Sequence, residues 1–332
     1  MKNAIVLGGG GFIGGHLVKF LKSRNYWVRV VDLKQHQYQD YSDEFIQGDL
    51  TNPEFVREVL YVSQGFSRIY QLAADMGGAG YIFTGENDSN VMTNSALINL
   101  NVLNSIVQLY GKDQFPKVFY SSSACIYPEE KQLENSNPGL RESDAYPANP
   151  DSEYGWEKLF SERLYFAYNR NFGLPVRVAR FHNIYGPEGT WRGGKEKAPA
   201  AICRKVAQCD DFGKVEIWGN GKQTRSFLYI DDCISAIEKF MESSFSGPLN
   251  IGSEEIVSIN DLVRMVSEIA GKNIEILNIK GPVGVAGRNS NNELIREKLN
   301  WDYQFSLMEG MRLTFEWIQQ QIKFDKNIEE GS

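Results

Sequence analysis

The sequence predicts an α/β protein: a doubly wound parallel sheet with a smaller, mainly C-terminal α/β lobe. Three observations carry that expectation. Short apolar runs alternate with amphipathic stretches through the first half of the chain, the pattern of βαβ units. A glycine-rich turn joins the first run to the first amphipathic stretch, and an acid closes the second run. The 332 residues also exceed a single average domain of about 150 residues.

The elements follow in order. Strands are expected at Asn3–Leu7, Trp27–Asp32, Phe45–Gln47, Arg68–Leu72, Lys117–Ser121 and Pro175–Arg180, all short and rich in β-branched or aromatic residues. Helices are expected at Phe12–Arg24, Pro53–Val62, Ser89–Tyr110 and Ser152–Asn171, with Asn-Pro pairs at 52–53 and 149–150 suiting helix starts or the turns before them. From His182 to Arg192 the chain is rich in Gly, Pro and polar residues and reads as a long loop. A helix at Ala198–Gln208, strands at Val215–Trp218 and Arg225–Tyr229, and helices at Ile230–Phe240 and Ile259–Ala270 follow. Met311, Phe315 and Ile318 fall at i, i+4 and i+7, the face of a closing helix. Residues 1–181 are therefore expected to form the sheet domain and 182–332 mainly the lobe, with some chain crossing back to the sheet.

Composition narrows the function. With 42% hydrophobic residues, 19 Phe, 16 Tyr and 6 Trp, the chain has ample apolar surface for a core and is not disordered. No apolar window reaches the roughly 18 residues of a membrane span, and the start shows no secretory signal, so the cytoplasm is the expected location. A net charge of −7 disfavours nucleic acid and membrane surfaces. Four Cys without paired spacing argue against disulfides and against a metal site. Against the acidic background, Arg192, Lys195, Lys197, Arg204 and Lys205 cluster tightly, either as a solvated helix face or as a neighbour of ligand phosphates.

Gly8-Gly9-Gly10-Gly11-Phe12-Ile13-Gly14 satisfies both G-x-x-G-x-x-G and G-x-G-x-x-G between a strand and a helix. Glycine suits that place because the turn is tight and the backbone must approach a pyrophosphate at the helix N-terminus. The alternative, a turn serving only packing, is weakened by Asp32 at the end of the second strand, where a carboxylate accepts from ribose hydroxyls. That carboxylate repels a 2′-phosphate and only Arg29 lies near, so NAD is expected over NADP. Asp49, in Gly48-Asp49-Leu50, is either an adenine-end contact or a plain turn residue. A Rossmann-type domain is the consequence.

Tyr154 and Lys158 form a Y-x-x-x-K pair, which one helix face brings together. A neighbouring ammonium favours phenolate and lets a tyrosine act as a base. Ser121-Ser122-Ser123 ends the fifth expected strand, at the carboxyl edge where α/β ligands bind.

Glycine turn, serine cluster and Tyr/Lys pair in this order resemble the extended short-chain dehydrogenase/reductase family, whose members act on nucleotide sugars. The resemblance spans essentially the whole chain. Ala73-Ala74-Asp75-Met76-Gly77-Gly78, Ser122–Pro128, Arg180–Pro187, Gly193–Ala200, Gln223–Phe227 and Gly287–Ser290 are similar, within that family, to the group of GDP-mannose 3,5-epimerases. Leu7 departs from the family, which commonly has Thr before the first glycine.

The resemblance implies a redox-neutral reaction: oxidation at sugar C4 with NAD, inversion at C3 and C5, and reduction back at C4. It implies Tyr154 as the hydroxyl base, Lys158 as its electrostatic partner and Ser123, ahead of Ser122, as a hydrogen-bonding partner of the same oxygen. Gly8, Gly11, Phe12, Ile13, Gly14, Asp32, Asp49, Leu50, Leu72, Ala73 and Ala74, with Tyr154 and Lys158, form the implied NAD site. Cys125 and Lys197 are the implied acid/base pair for the ring carbons, with Lys195 as the alternative to Lys197. If the chain stays extended, Cys125 lies on the same side as Ser123. Asn183, Arg225 and Arg288 resemble diphosphate-binding groups, for which an arginine fork is suited; a surface salt bridge is the plain alternative for each arginine. Met76, Gly77 and Gly78 approach the sugar or form an ordinary loop. His182 is not expected to be catalytic, His16 and His36 carry no signal, and Cys203, Cys209 and Cys233 read as packing. A 4,6-dehydratase would carry an acid pair where Ala124-Cys125 stands, and a noncatalytic NAD(H)-binding protein would lack Tyr154 or Lys158. A nucleotide-sugar substrate such as GDP-mannose is implied, as is a homodimer through the helices at Ser89–Tyr110 and Ser152–Asn171.

Overall fold

The computed structural model describes residues 2–38, 40–281 and 284–331. β1 (Asn3–Leu7) is buried at every residue, as a strand covered on both faces must be. It is followed by α1 (Phe12–Ser23), β2 (Trp27–Asp32), β3 (Glu44–Gln47), α2 (Pro53–Leu60) and β4 (Arg68–Gln71). The start of α2 is where its sequence puts it: Pro53 opens the helix and the Asn52 side chain accepts from the Glu54 and Phe55 amides. Next come α3 (Ala79–Ile82), α4 (Asp88–Leu109), β5 (Lys117–Ser123), α5 (Glu153–Phe172) and β6 (Val176–Phe181). Ser152 caps α5 through the Gly155 amide, and Gly173 ends it in the left-handed conformation.

The later chain supplies β7 (Ile184–Tyr185), α6 (Ala198–Gln208), β8 (Lys214–Trp218), β9 (Thr224–Ser226), β10 (Leu228–Tyr229), α7 (Ile230–Glu242), β11 (Leu249–Ile251) and β12 (Ile256–Ser258). It ends with α8 (Ile259–Ala270), β13 (Glu275–Ile279), β14 (Gly287–Arg288), α9 (Glu293–Leu299) and α10 (Leu307–Gly331). Among the described residues seven parallel strands make the main sheet in the order β11-β6-β5-β4-β1-β2-β3. The order reverses between β1 and β4, so a crevice opens at their carboxyl ends. One face of the sheet packs on α2, α4 and α5 through Val56, Val102, Ile106 and Tyr165. The other packs on α1 and α7, and its core continues through Ile202, Val263 and Met311 of the later helices.

Two expectations change. The run Arg225–Tyr229 is not one strand: the chain turns at buried Phe227, β9 pairs with β12 and β14, and β10 pairs with β7. β11 was invisible in the sequence, yet it extends the main sheet by placing Leu249 opposite Ala179 and Ile251 opposite Phe181.

Candidate active site

At the crevice the backbone between β1 and α1 leaves no room for side chains. A Cβ on Gly14 would stand 2.7 Å from the Gly9 Cα. No side chain caps the N-terminus of α1, so its first amides are left for an anion. Asp32 is held at the end of β2 by the Gly10 amide (3.0 Å) and the Lys34 amide (3.3 Å). Burial raises its carboxyl above the usual range, and those amide bonds oppose the shift. Arg29 pairs with Glu44 at 2.7 Å and also donates to the Val59 carbonyl, so it is turned away from any 2′-phosphate. Asp49 accepts from the Thr51 amide and the Leu50 carbonyl accepts from Asn101, which shapes the turn after β3. Leu72 bonds back to Leu7, and the Ala73 amide donates to Gln71, so residues 72–74 run beside the glycine turn. These residues fit a dinucleotide.

The Ser/Tyr/Lys trio meets where β5 ends and α5 begins. Tyr154 is buried, with the Ser123 hydroxyl close enough to act on its phenol. Lys158 donates to the Ser121 carbonyl at 2.9 Å, with its ammonium 5.7 Å from the Tyr154 ring centroid. The expected phenolate-favouring balance is absent among the residues themselves. Burial pushes the Tyr154 phenol up, with Cys125 and Glu157 adding to it and Ser123 opposing it. Burial likewise pushes the Lys158 ammonium down. Ser122 faces away and donates to Glu162 at 2.5 Å, a partner of buried Arg180.

Cys125 departs from the extended path expected for it. The Ser123 hydroxyl accepts the Cys125 amide at 3.2 Å and starts a 3-10 turn over Ala124–Ile126. The thiol still belongs to the site, packing beside Tyr154, Ile82 and Val91. Lys197 stands just before α6 with an exposed side chain. The protein packed around the end of that side chain lowers its ammonium, while Cys125 and Cys233 pull the other way. Lys195 holds its ammonium 4.3 Å from the ring centroid of Tyr81.

Arg288 is buried, with an ion pair inside the protein. It is not a surface salt bridge. Its Nε donates to Gln132 (2.5 Å), its Nη1 to the Cys125 Sγ (3.1 Å) and its Nη2 to Asp151 (2.8 Å). Arg225 donates to the Thr224 carbonyl at 2.7 Å, and burial together with the nearby Arg288 pushes it down to about 10. Asn183 donates to the Ser226 carbonyl from a left-handed backbone position. The basic cluster is mostly paired within the protein: Arg192 with Asp325, Arg204 with Glu196, and Lys205 with the Glu216 carbonyl. His182 is buried against Asn250 and held down to about 3 by that burial, so it stays neutral.

Sequence reasoning missed several neighbours. Met76, Gly77 and Gly78 lead into α3, whose Tyr81 hydroxyl donates to Asp75 at 2.9 Å, while Gly78 packs on the Lys195 and Glu196 carbonyls. Tyr81, Ile82 and Phe83 thereby cover the Tyr154 and Cys125 side of the site. Asp151 and Gln132 carried no motif, although Asp151 directly follows the Asn149-Pro150 pair.

Comparison with known proteins agrees with this geometry. The chain is 46% identical over 324 residues to the GDP-mannose 3,5-epimerase of Arabidopsis thaliana, covering 97% of this chain and 83% of that protein. It is 44% identical over 321 residues to GDP-mannose 3,5-epimerase 1 of Oryza sativa subsp. japonica, covering 97% and 82%. The fold matches the crystal structure of UDP-glucose 4-epimerase from Thermotoga maritima with a TM-score of 0.85 at 24% identity, over 97% of this chain and 100% of that one. The pattern of the NAD dependent epimerase/dehydratase family matches residues 4–252, three quarters of the chain. The chain therefore belongs to the NAD-dependent epimerase/dehydratase family, within the extended short-chain dehydrogenases/reductases.

Proposed function

We propose that the chain is a redox-neutral nucleotide-sugar epimerase that converts GDP-D-mannose to GDP-L-galactose by inverting C3 and C5. The observation that carries this reading is the pair Cys125 and Lys197, near enough for the sulfur to act on the ammonium, with Cys125 packed beside Tyr154. The similarity to GDP-mannose 3,5-epimerases over nearly the whole chain supports the choice of substrate. Residues 1–181 with β11 would hold NAD, and residues 182–332 would mainly bind the sugar nucleotide. The amides of Phe12 and Ile13 and the Asp32 carboxylate are the proposed contacts to the cofactor's pyrophosphate and ribose. NAD, when bound, supplies a hydride acceptor and donor at the sugar carbon.

The residues then have defined work. Tyr154 removes the proton of the C4 hydroxyl as the C4 hydrogen leaves as hydride, and returns it at the end. Its raised proton affinity suits the return step, and the cation at Lys158 favours the first. Ser123 orients the oxygen. The ketone at C4 makes the neighbouring C–H bonds acidic, so a proton leaves C3 or C5 to one side group and a proton comes back from the other. Cys125 and Lys197 take those roles, and the protein packed around the end of the lysine brings it nearer the working pH. Arg225, with Asn183 beside it, is the proposed diphosphate contact. A dehydratase would need a carboxylic acid where Ala124-Cys125 stands.

We also propose a cytoplasmic homodimer. Leu97 on α4 and Trp156 and Phe160 on α5 are exposed apolar residues on helices that pack together, which supports a second copy covering them. No helix among the described residues is long and apolar enough to cross a membrane. The test is GDP-mannose incubated with the NAD-loaded protein and no added reductant: a C3/C5-inverted product supports the reading, and unchanged substrate refutes it. A monomeric mass by light scattering at micromolar concentration refutes the dimer.

A further inference from the structure

Building on Cys125 as one of the two proton-handling groups, we propose that Arg288 is a positioning residue for the Cys125 sulfur, locked there by Asp151 and Gln132. The guanidinium fork is fixed in three directions at once: Gln132 at 2.5 Å, Cys125 Sγ at 3.1 Å and Asp151 at 2.8 Å. Arginine and aspartate are each only 6% exposed at the side chain, so the cation has little water to turn towards. A buried cation requires a counter-charge, and Asp151 provides it. Gln132 is itself fully buried and tied to the Tyr127 and Pro128 carbonyls. This support is what distinguishes Arg288 from an arginine free to follow a phosphate.

The consequence lies at the sulfur. A guanidinium has donors only, so at 3.1 Å the sulfur is the acceptor, and a contacting cation attracts negative charge that develops on it. The other charged or titratable groups that act on or face the thiol are Lys197, Lys158, Arg225 and Tyr154, with Asp151 behind the fork. Among these Arg288 is the cation in direct contact. Cys125 is thereby directed to accept a proton from carbon; the transfer leaves a neutral thiol beside Arg288, and the electron pair passes into the enolate at the C4 oxygen. In this arrangement Arg288 contributes to turnover rather than to substrate affinity.

The test is alkylation of the intact NAD-loaded protein by iodoacetamide across pH 6–9, read peptide by peptide by mass spectrometry. Cys209, half-buried on another element, is the control in the same tube, and buried Cys203 reports unfolding. Arg288→Met should slow Cys125 alkylation at pH 7 by about tenfold, the effect of losing one contacting cation. Cys209 should be unchanged. Arg288→Lys keeps the charge but cannot span three partners, and should fall between. In kinetics, kcat should drop with KM changed less than threefold. Cys125 alkylation within twofold of the wild type in both variants, or faster, would overturn the proposal. So would a KM rise with kcat intact, which would mark a diphosphate ligand. If Arg288→Met exposes Cys203, the Arg288→Lys result decides alone. Should Cys125→Ala retain full turnover while Arg288→Met slows alkylation, the pairing stands and the catalytic reading of Cys125 falls.

Discussion

Gly155→Ala probes how closely the tyrosine helix must approach the turn at Cys125. A Cβ there would stand 2.8 Å from the Pro150 Cβ and 3.0 Å from the Cys125 carbonyl carbon, where ordinary contact begins at 3.4 Å. The carbonyl oxygen is nearer still, so α5 and the Cys125 turn must part by on the order of 1 Å, a displacement that typically costs about 10²-fold in rate. The same substitution gains about 1 kcal/mol of helix propensity and loses about 1–3 kcal/mol to overpacking. Stability should therefore fall by no more than about 2 kcal/mol, while turnover collapses. The assay is initial-rate kinetics beside urea denaturation of the same preparation. Activity within threefold of wild type would refute the argument that this close approach sets the distance from Tyr154 to Ser123 and Cys125.

Tyr154→Phe should lower kcat by about 10²–10⁴-fold while leaving NAD and substrate binding intact, since it deletes one proton-carrying oxygen; retention of a third of the activity would remove Tyr154 from the mechanism. Arg225→Ala should raise KM more than it lowers kcat, because a diphosphate contact acts equally in ground and transition states, and an unchanged KM would contradict that contact. Acid should destabilise the fold through His182. Its folded value is depressed from 6.5 to about 3 by burial, so the unfolded chain binds the extra proton in that interval. The contribution is fully present above pH 6.5 and is lost as pH falls towards 3, at about 1.4 kcal/mol per pH unit. A His182→Gln variant should show a shallower acid slope in urea melts, and equal slopes would refute the assignment.

Local signals were the legible part. The glycine turn, the Asn52-Pro53 helix start and the Tyr154/Lys158 spacing depend on neighbours within a few residues, and each stands where the sequence puts it. Pairings between distant segments were not legible. β11 joins β6 across about seventy residues, and Arg288 meets Cys125 across 163; no periodicity encodes either contact. The position of Cys125 was read on the condition that the chain stays extended past the strand end. A single side-chain bond, Ser123 to the Cys125 amide, turned the chain instead. The Tyr154/Lys158 pair was legible as geometry but not as electrostatics, since spacing shows neighbours and says nothing of burial, which here is the largest influence on the phenol.

Deuterium placement tests the central claim most directly. GDP-mannose is incubated with the NAD-loaded protein in heavy water, and NMR locates the label in recovered nucleotide sugar. The account predicts deuterium at C3 and C5, none at C4 because the hydride returns from the cofactor, and loss of uptake at both ring carbons in Cys125→Ala and Lys197→Ala. Label at neither carbon in the wild type, or wild-type uptake in both variants, would contradict it.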